Sequence, residues 1–264
     1  FLDDVGIVLN GLAMRYYTDP GFKLGAFTHP EPAVRKAALE ITKKGVDTCA
    51  AMGGKTVTLW MGQDGFDYAF QINYAAAWDR TIEAISEVCA HNPEIDIAIE
   101  YKPNEPRAYA LMPDIGTTLL ACREVNAPNL GVTLDFAHVL YADEMPAHSA
   151  ALIGRHSRMI GLHLNDGYGK RDDGLMVGSV HAIQTVELLV AMLRMNQTDV
   201  IYFDTFPDMG GLNPVEEART NVTLTDRFMD VAEQLVEDAS LKDAIDKQDA
   251  ALSHRIVAKA LFGT

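Results

Sequence analysis

The sequence predicts an α/β fold, a (β/α)8 TIM barrel with a helical extension at its C-terminus. Three observations carry this. Short β-branched runs alternate with helical patterns along the whole chain, the signature of a parallel sheet with helical crossovers. Six such runs are clear, near residues 5–14, 56–61, 95–101, 130–136, 159–165 and 200–204, with no sequence repeat between them. At 264 residues the chain can bury one large core. A barrel needs eight strands. At least one is therefore expected before Phe1, where the absence of a Met suggests that the natural N-terminus lies upstream, and a short one after Pro207. An open doubly wound sheet is the alternative, weakened because no Gly-rich phosphate loop follows a first strand.

The elements follow in order. VGIVLNGLAM, Val5 to Met14, reads as the first strand, and a loop punctuated by Pro20, Gly21 and Gly25 runs from Tyr16 to His29. Val34, Ala38, Ile41, Val46 and Ala50 recur at helical spacing, and Gly53 and Gly54 end that helix. TVTLWM at 56–61 is a strand, and Trp78, Ile82, Ile85 and Cys89 stripe the helix at 73–91. IDIAIEYKPNEPR, Ile95 to Arg107, starts as a buried strand and is forced into a loop by Pro103 and Pro106. A helix at 114–125, the strand LGVTLDF, a helix at 145–153, the strand MIGLHLN, a Gly- and Asp-rich loop at 166–178, a helix at 182–195 and the strand VIYFD complete the alternation. We read 1–220 as the barrel and 221–264 as a charged helical extension packed outside it.

Composition narrows the function. The formal net charge is −15, which opposes phosphodiesters and argues against a nucleic-acid partner. No run is long and apolar enough for a bilayer, and no leader opens the chain. Three cysteines, far apart and odd in number, suit a reducing cytoplasm rather than a disulfide frame or thiolate zinc site.

Strand after strand ends in a ligand-type side chain. Glu100 ends one, Asp135 the next with His138 three residues on, His163 a third and Asp204 a fourth. In a parallel barrel these ends meet at one mouth, where uncompensated carboxylates would repel. A divalent cation relieves that, and oxygen and imidazole ligands without thiolate favour Mn²⁺, Co²⁺ or Mg²⁺. Each residue alone has a plainer role: a strand-end carboxylate as cap or ion-pair partner, His163 as a hydrogen-bonded core histidine. The joint pattern points to a metal. Lys102 lies on the same strand face as Glu100 and could hold a carbonyl oxygen or pair with an Asp. Trp60 ends a strand and could stack on a ligand's apolar face or fill the core.

These residues carry a family resemblance. EYKPNEPR at Glu100 to Arg107 and LDFAH at Leu134 to His138 resemble motifs of the xylose isomerase family. TDPGFKLGAFTHP at Thr18 to Pro30 and TLWMGQDG at Thr58 to Gly65 resemble its early barrel loops, and HLND at His163 to Asp166 is closer to bacterial L-rhamnose isomerases. The resemblance spans roughly Asn10 to Asp204. It implies a two-metal aldose–ketose isomerase, with one ion on Glu100, Asp135, His163 and Asp204. The second would take His138 and a carboxylate of the loop after strand six, Asp173 ahead of Asp172, although Arg171 sits where a ligand is expected. It also implies a substrate role for His29, the alternative being that His29 caps the helix after it. Lys102, His29 and Asp204 would be catalytic, and Trp60, Lys102, His29 and His138 would bind a free pentose or hexose. In that mechanism the metals and Lys102 polarise C1 of the open-chain sugar while hydrogen passes from C2 to C1. Family barrels are commonly homodimers or homotetramers. A ketose 3-epimerase, an apurinic endonuclease-like hydrolase and a barrel that has lost its second metal are the competing readings.

Overall fold

A computed structural model describes residues 2–197, 200–207 and 211–263. Its strands in chain order are β1 (Gly11–Arg15), β2 (Thr56–Trp60), β3 (Gly65–Phe66), β4 (Asp96–Glu100), β5 (Tyr109–Ala110), β6 (Leu130–Asp135), β7 (Met159–Leu164) and β8 (Ile201–Phe203). The α-helices are α1 (Leu2–Val5), α2 (Pro32–Ala51), α3 (Tyr74–His91), α4 (Ile115–Val125), α5 (Phe136–Tyr141), α6 (Pro146–His156), α7 (Ala182–Arg194), α8 (Pro214–Val236), α9 (Ala239–Asp246) and α10 (Ala250–Phe262).

Six strands form one sheet in the order β1-β2-β4-β6-β7-β8, every pair parallel. Spatial order follows chain order without reversal. A doubly wound sheet must reverse, so the winding is that of a barrel wall. Among the described residues β1 and β8 do not pair with each other, and six of a barrel's eight strands are present. All strands therefore present their carboxyl ends on one side. β6 is buried at every position, as a strand covered on both faces should be.

Two expectations are corrected. The first apolar run is not one strand: it breaks at Gly6, whose φ is +71°, after the short helix α1. Val5, Ile7 and Val8 stay exposed, and β1 begins only at Gly11, where it pairs with Thr56. No strand follows Pro207 at residues 211–213, because Asn213 there caps α8 through Val215 N and Glu216 N; residues 208–210 lie outside the described residues. Two further elements were not anticipated: the antiparallel ribbon β3–β5 and helix α5, which begins immediately after β6.

Helix starts follow local chemistry. Asn73, Asp114 and Asp249 each accept an N–H of the first turn, and α4 ends on Asn126 in the left-handed region. α8 opens at Pro214, ahead of residue 221, runs along α7, and buries Phe228, Val231, Ala232 and Leu235. The division into barrel and extension remains our proposal. No described helix is long and apolar enough to cross a membrane.

Asn129 ties the wall together from below. Its Nδ2 donates to the carbonyls of Cys89 (3.1 Å), Asn92 (3.4 Å) and Ile95 (2.9 Å), joining the end of α3 to the starts of β4 and β6. Asn129→Ala takes this donor from the carbonyls of Cys89 and Ile95, while the Asn92 carbonyl keeps Ile95 N at 3.2 Å. We predict a loss of about 1–3 kcal/mol, seen as a lower urea midpoint at unchanged slope.

Candidate metal centre at the strand ends

Glu100 is the last residue of β4 and Asp135 the last of β6; His163 sits one residue from the end of β7, and Asp204 one residue past β8. The shared polarity of the strands brings all four to one place. One ligand-type atom from each lies within 4.8 Å of the others. Glu100 and Asp135 are buried, His163 and Asp204 half-buried.

The cluster is electrostatically unfinished. His163 Nδ1 lies 3.3 Å from Glu100 Oε1 and 3.7 Å from carboxylate oxygens of both Asp135 and Asp204. Yet it is buried and makes no directed hydrogen bond. His138 Nδ1, 3.5 Å from Glu100 Oε1, is buried and unserved in the same way. Burial, together with the charges of Asp135 and Glu100, pushes the Asp204 carboxyl up to about 6. Burial opposes charge on His138, but Asp135, Asp172 and Glu100 overcome it and hold the ring at about 9. Burial likewise opposes charge on His163, and Glu100 and Asp135 outweigh it to raise the ring well above its usual range. An imidazole lone pair facing three carboxylates, with no thiolate nearby, fits a divalent cation with oxygen and nitrogen ligands. Burial works to raise Asp135 as well, but the two histidines win and keep it below the usual range.

Asn165, beside His163 at the strand end and given no role from the sequence, organises this cluster. Its Nδ2 donates to both oxygens of Asp135 (3.2 and 3.1 Å) and to the Asp204 carbonyl (3.0 Å), while its Oδ1 accepts from Ala137 N. It lies two residues after His163, so the period-2 argument applied to Glu100 and Lys102 would have found it. Asp135 also accepts from His138 N at 3.0 Å, capping α5, and so aims His138 at the cluster.

Lys102 is buried beside the cluster. Its Nζ donates to Asp172 Oδ2 (3.0 Å), lies 3.0 Å from Glu105 Oε2, and sits 5.2 Å from the Trp60 ring centre. Burial disfavours its charge, but Asp172 and Glu105 more than compensate and raise it. Asp172 Oδ2 also bonds His138 Nε2 at 3.1 Å; despite burial, His138 and Lys102 hold this carboxyl at about 2.

The structure sets Asp172, rather than Asp173, against His138 and Lys102. Asp173 accepts from Arg171 Nε (2.7 Å) and Tyr168 N (2.8 Å), so both its oxygens are engaged within the loop. Arg171 points outward, with its side chain 72% exposed, and puts no charge in the mouth. Buried Asp166 sets this course: it accepts from Gly167 N, Val180 N, His181 N and the His181 ring, cinching both ends of the loop. His29 lies at the entry to α2. Its Nδ1 accepts from Glu31 N at 3.1 Å at the entry to α2, and it does not line the mouth cavity shared by Trp60, Asp64, Glu100 and Lys102.

Such a wall with this mouth defines a parallel α/β barrel protein carrying an acid–imidazole cluster at the carboxyl ends of its strands. Comparison with known sequences makes this specific. The model of the xylose isomerase-like TIM barrel family matches residues 2–227, and the chain belongs to that family. It is 29% identical over 184 residues to xylose isomerase of Thermus thermophilus, covering 67% of this chain and 48% of that protein. The chain thus spans about half the length of that relative. Among solved structures, a D-tagatose 3-epimerase-like protein superposes with a TM-score of 0.74 at 18% identity, covering 89% of this chain and 82% of that one. The IOLI protein with a bound zinc atom does so with 0.64 at 17%, covering 84% and 76%. At these identities the likeness is one of fold.

A pH prediction follows from the cluster. A cation requires neutral His163 and ionised Asp204. The metal-free chain resists both, since its folded His138 and His163 hold protons more tightly than in the unfolded chain and so does Asp204. Stability due to raised His138 is present below its ordinary 6.5 and lost as pH rises through about 9. The raised Asp204 removes stability as pH climbs from 3.8 to about 6. A bound cation reverses these losses. We predict that the rise in melting temperature given by Mn²⁺ over chelator grows steadily from about pH 6 to about pH 9. A rise that is flat across this range would count against metal binding by these groups.

Proposed function

We propose that the chain is a metal-dependent aldose–ketose isomerase, of the L-rhamnose or D-xylose isomerase kind, acting on a free pentose or hexose. The observation that carries this is the pairing of the four-residue cluster with a buried, charged Lys102 in one mouth, above Trp60. Family membership and the identity to a xylose isomerase support it.

Glu100, Asp135, His163 and Asp204 would hold the ion, which when bound supplies Lewis-acid polarisation of the sugar's C1 and C2 oxygens. Mn²⁺, Co²⁺ and Mg²⁺ suit the donor set. Lys102 donates from Nζ to the carbonyl oxygen, where negative charge grows as hydrogen leaves C2 for C1, and the proton of the C2 hydroxyl ends on the C1 oxygen. Asp172 and Glu105 keep Lys102 charged and fix its direction. His138 aligns Asp172 and faces Glu100, and a second ion there requires Asp172 to leave Lys102. Trp60 and the apolar wall at Leu111 and Met112 limit water.

The second reading is ketose 3-epimerisation, favoured by the D-tagatose 3-epimerase-like neighbour. Two carboxylates on one substrate carbon would then exchange its proton, and Lys102 would have no carbonyl-polarising part. The test is product analysis by NMR on a panel of aldoses and ketoses in D₂O, with Mn²⁺ and with chelator. Aldose–ketose interconversion that needs the ion supports the proposal. Only C3 inversion would replace it with the epimerase, and no turnover of any sugar would overturn both.

A further inference from the structure

Two buried polar atoms of residues that line the mouth cavity have no hydrogen-bond partner among the described residues. One is Trp60 Nε1, a donor; the other is Asp64 Oδ2, an acceptor. Both residues border the same space as Glu100 and Lys102, and that space is about 10 Å³, room for one water or one hydroxyl oxygen.

Neither atom is free to turn elsewhere. Asp64 is 2% exposed, and its Oδ1 accepts from Ala26 N (3.0 Å), Thr28 N (2.8 Å) and Thr28 Oγ1 (2.6 Å). That triple hold anchors Oδ1 and with it the carboxyl group. Gly25 makes the hold possible: at φ +115° a Cβ there would stand 2.5 Å from Thr28 Oγ1 and 3.1 Å from Asp64 Oδ1. The Trp60 ring is held by Tyr17, edge-on at 5.2 Å between centres, and lies over Gly62, where a Cβ would sit 2.6 Å from Cζ2. Leaving a buried donor and a buried acceptor unmade is unfavourable, and native interiors rarely do it.

A hydroxyl is the group that answers both, because its oxygen accepts while its hydrogen donates. We propose that Trp60 Nε1 and Asp64 Oδ2 form a hydroxyl subsite that reads one specific hydroxyl of the open-chain polyol. This deepens the isomerase reading and rests on it. Asp64 is then a specificity-determining residue, and Trp60 contributes its N–H rather than only its face.

The probe is xylitol, a five-carbon alditol that cannot be turned over, with its monodeoxy analogues, titrated calorimetrically into the full chain with excess Mn²⁺. In the unaltered chain, one deoxy position should weaken binding about tenfold or more beyond the others, since it leaves both atoms unpaired again. In Trp60→Phe, which keeps an aromatic ring, and in Asp64→Asn, which keeps Oδ1 for the loop, that position's penalty should shrink to that of its neighbours. Penalties at the other positions should stand. Uniform weakening of every analogue in the two subsite variants would overturn the subsite while leaving the isomerase reading intact. Failure of the unaltered chain to bind any alditol would overturn the sugar reading, and the subsite with it.

Discussion

Glu100→Gln is expected to remove tight binding of a divalent cation and, with it, ion-dependent sugar turnover. The amide keeps the side chain's shape but takes away the charge that His163 Nδ1 meets at 3.3 Å and His138 Nδ1 at 3.5 Å. Loss of a group that merely orients a ligand costs roughly 10–100-fold in affinity, and loss of a ligand should exceed that. The same change relieves Asp204, whose carboxyl Glu100 helps to raise, so Asp204 should ionise more readily in the variant. Glu100 lies at the end of β4 with its ladder to β2 and β6 made by backbone groups, so the fold should survive. Calorimetric titration with Mn²⁺ measures the loss of affinity, and urea unfolding checks that the fold survives. Retention of the parent affinity would show that the four strand-end groups are a charge network and not a metal centre.

Lys102→Met is expected to separate catalysis from metal binding. The thioether has a similar length and can still lie against Trp60, but it cannot donate to an oxygen. If Lys102 stabilises developing charge on the sugar carbonyl, kcat should fall by about 10²–10³-fold, with KM and the Mn²⁺ affinity of the four-residue site little changed. Stability should fall too. The Lys102 side chain is 8% exposed and that of Asp172 11%, so the change leaves a largely buried carboxylate with His138 as its one side-chain partner among the described residues. Removing one member of a buried pair costs about 3–5 kcal/mol. The kinetic comparison is therefore made well below the variant's melting temperature. Unchanged kcat for aldose–ketose interconversion would remove Lys102 from the mechanism.

Loop residues mark how far local patterns reach. Asp172 and Asp173 are adjacent in an acidic, Gly-containing loop, and nothing in their spacing says which faces inward. Asp166 decides it by gripping Val180 N and His181 across 14 and 15 residues, a pairing invisible to local pattern. His29 reads as a site residue from its FTHP setting, and only the fold shows that its Nδ1 accepts from Glu31 N. Asp64 went unnoticed because its partners, Ala26 and Thr28, lie 38 and 36 residues away. Apolar β-branched residues within 5–8 make the first strand read too long, and only the pairing of Gly11 with Thr56 shows where the sheet begins.

Local pattern was enough to establish the alternation of strand and helix, the parallel sheet, and the placing of Glu100, Asp135, His163 and Asp204 at successive strand ends. These follow from short-range causes: side-chain period, β-branching, Pro and Gly stops, and the common polarity that parallel strands must share. The folded chain was needed to show which loop carboxylate meets His138 and Lys102, how Asn165 binds Asp135 to the Asp204 carbonyl, and that Trp60 Nε1 and Asp64 Oδ2 are left without partners beside one cavity. Those outcomes depend on hydrogen bonds between segments distant in the chain, whose donors and acceptors find each other only after the barrel wall has brought them within reach.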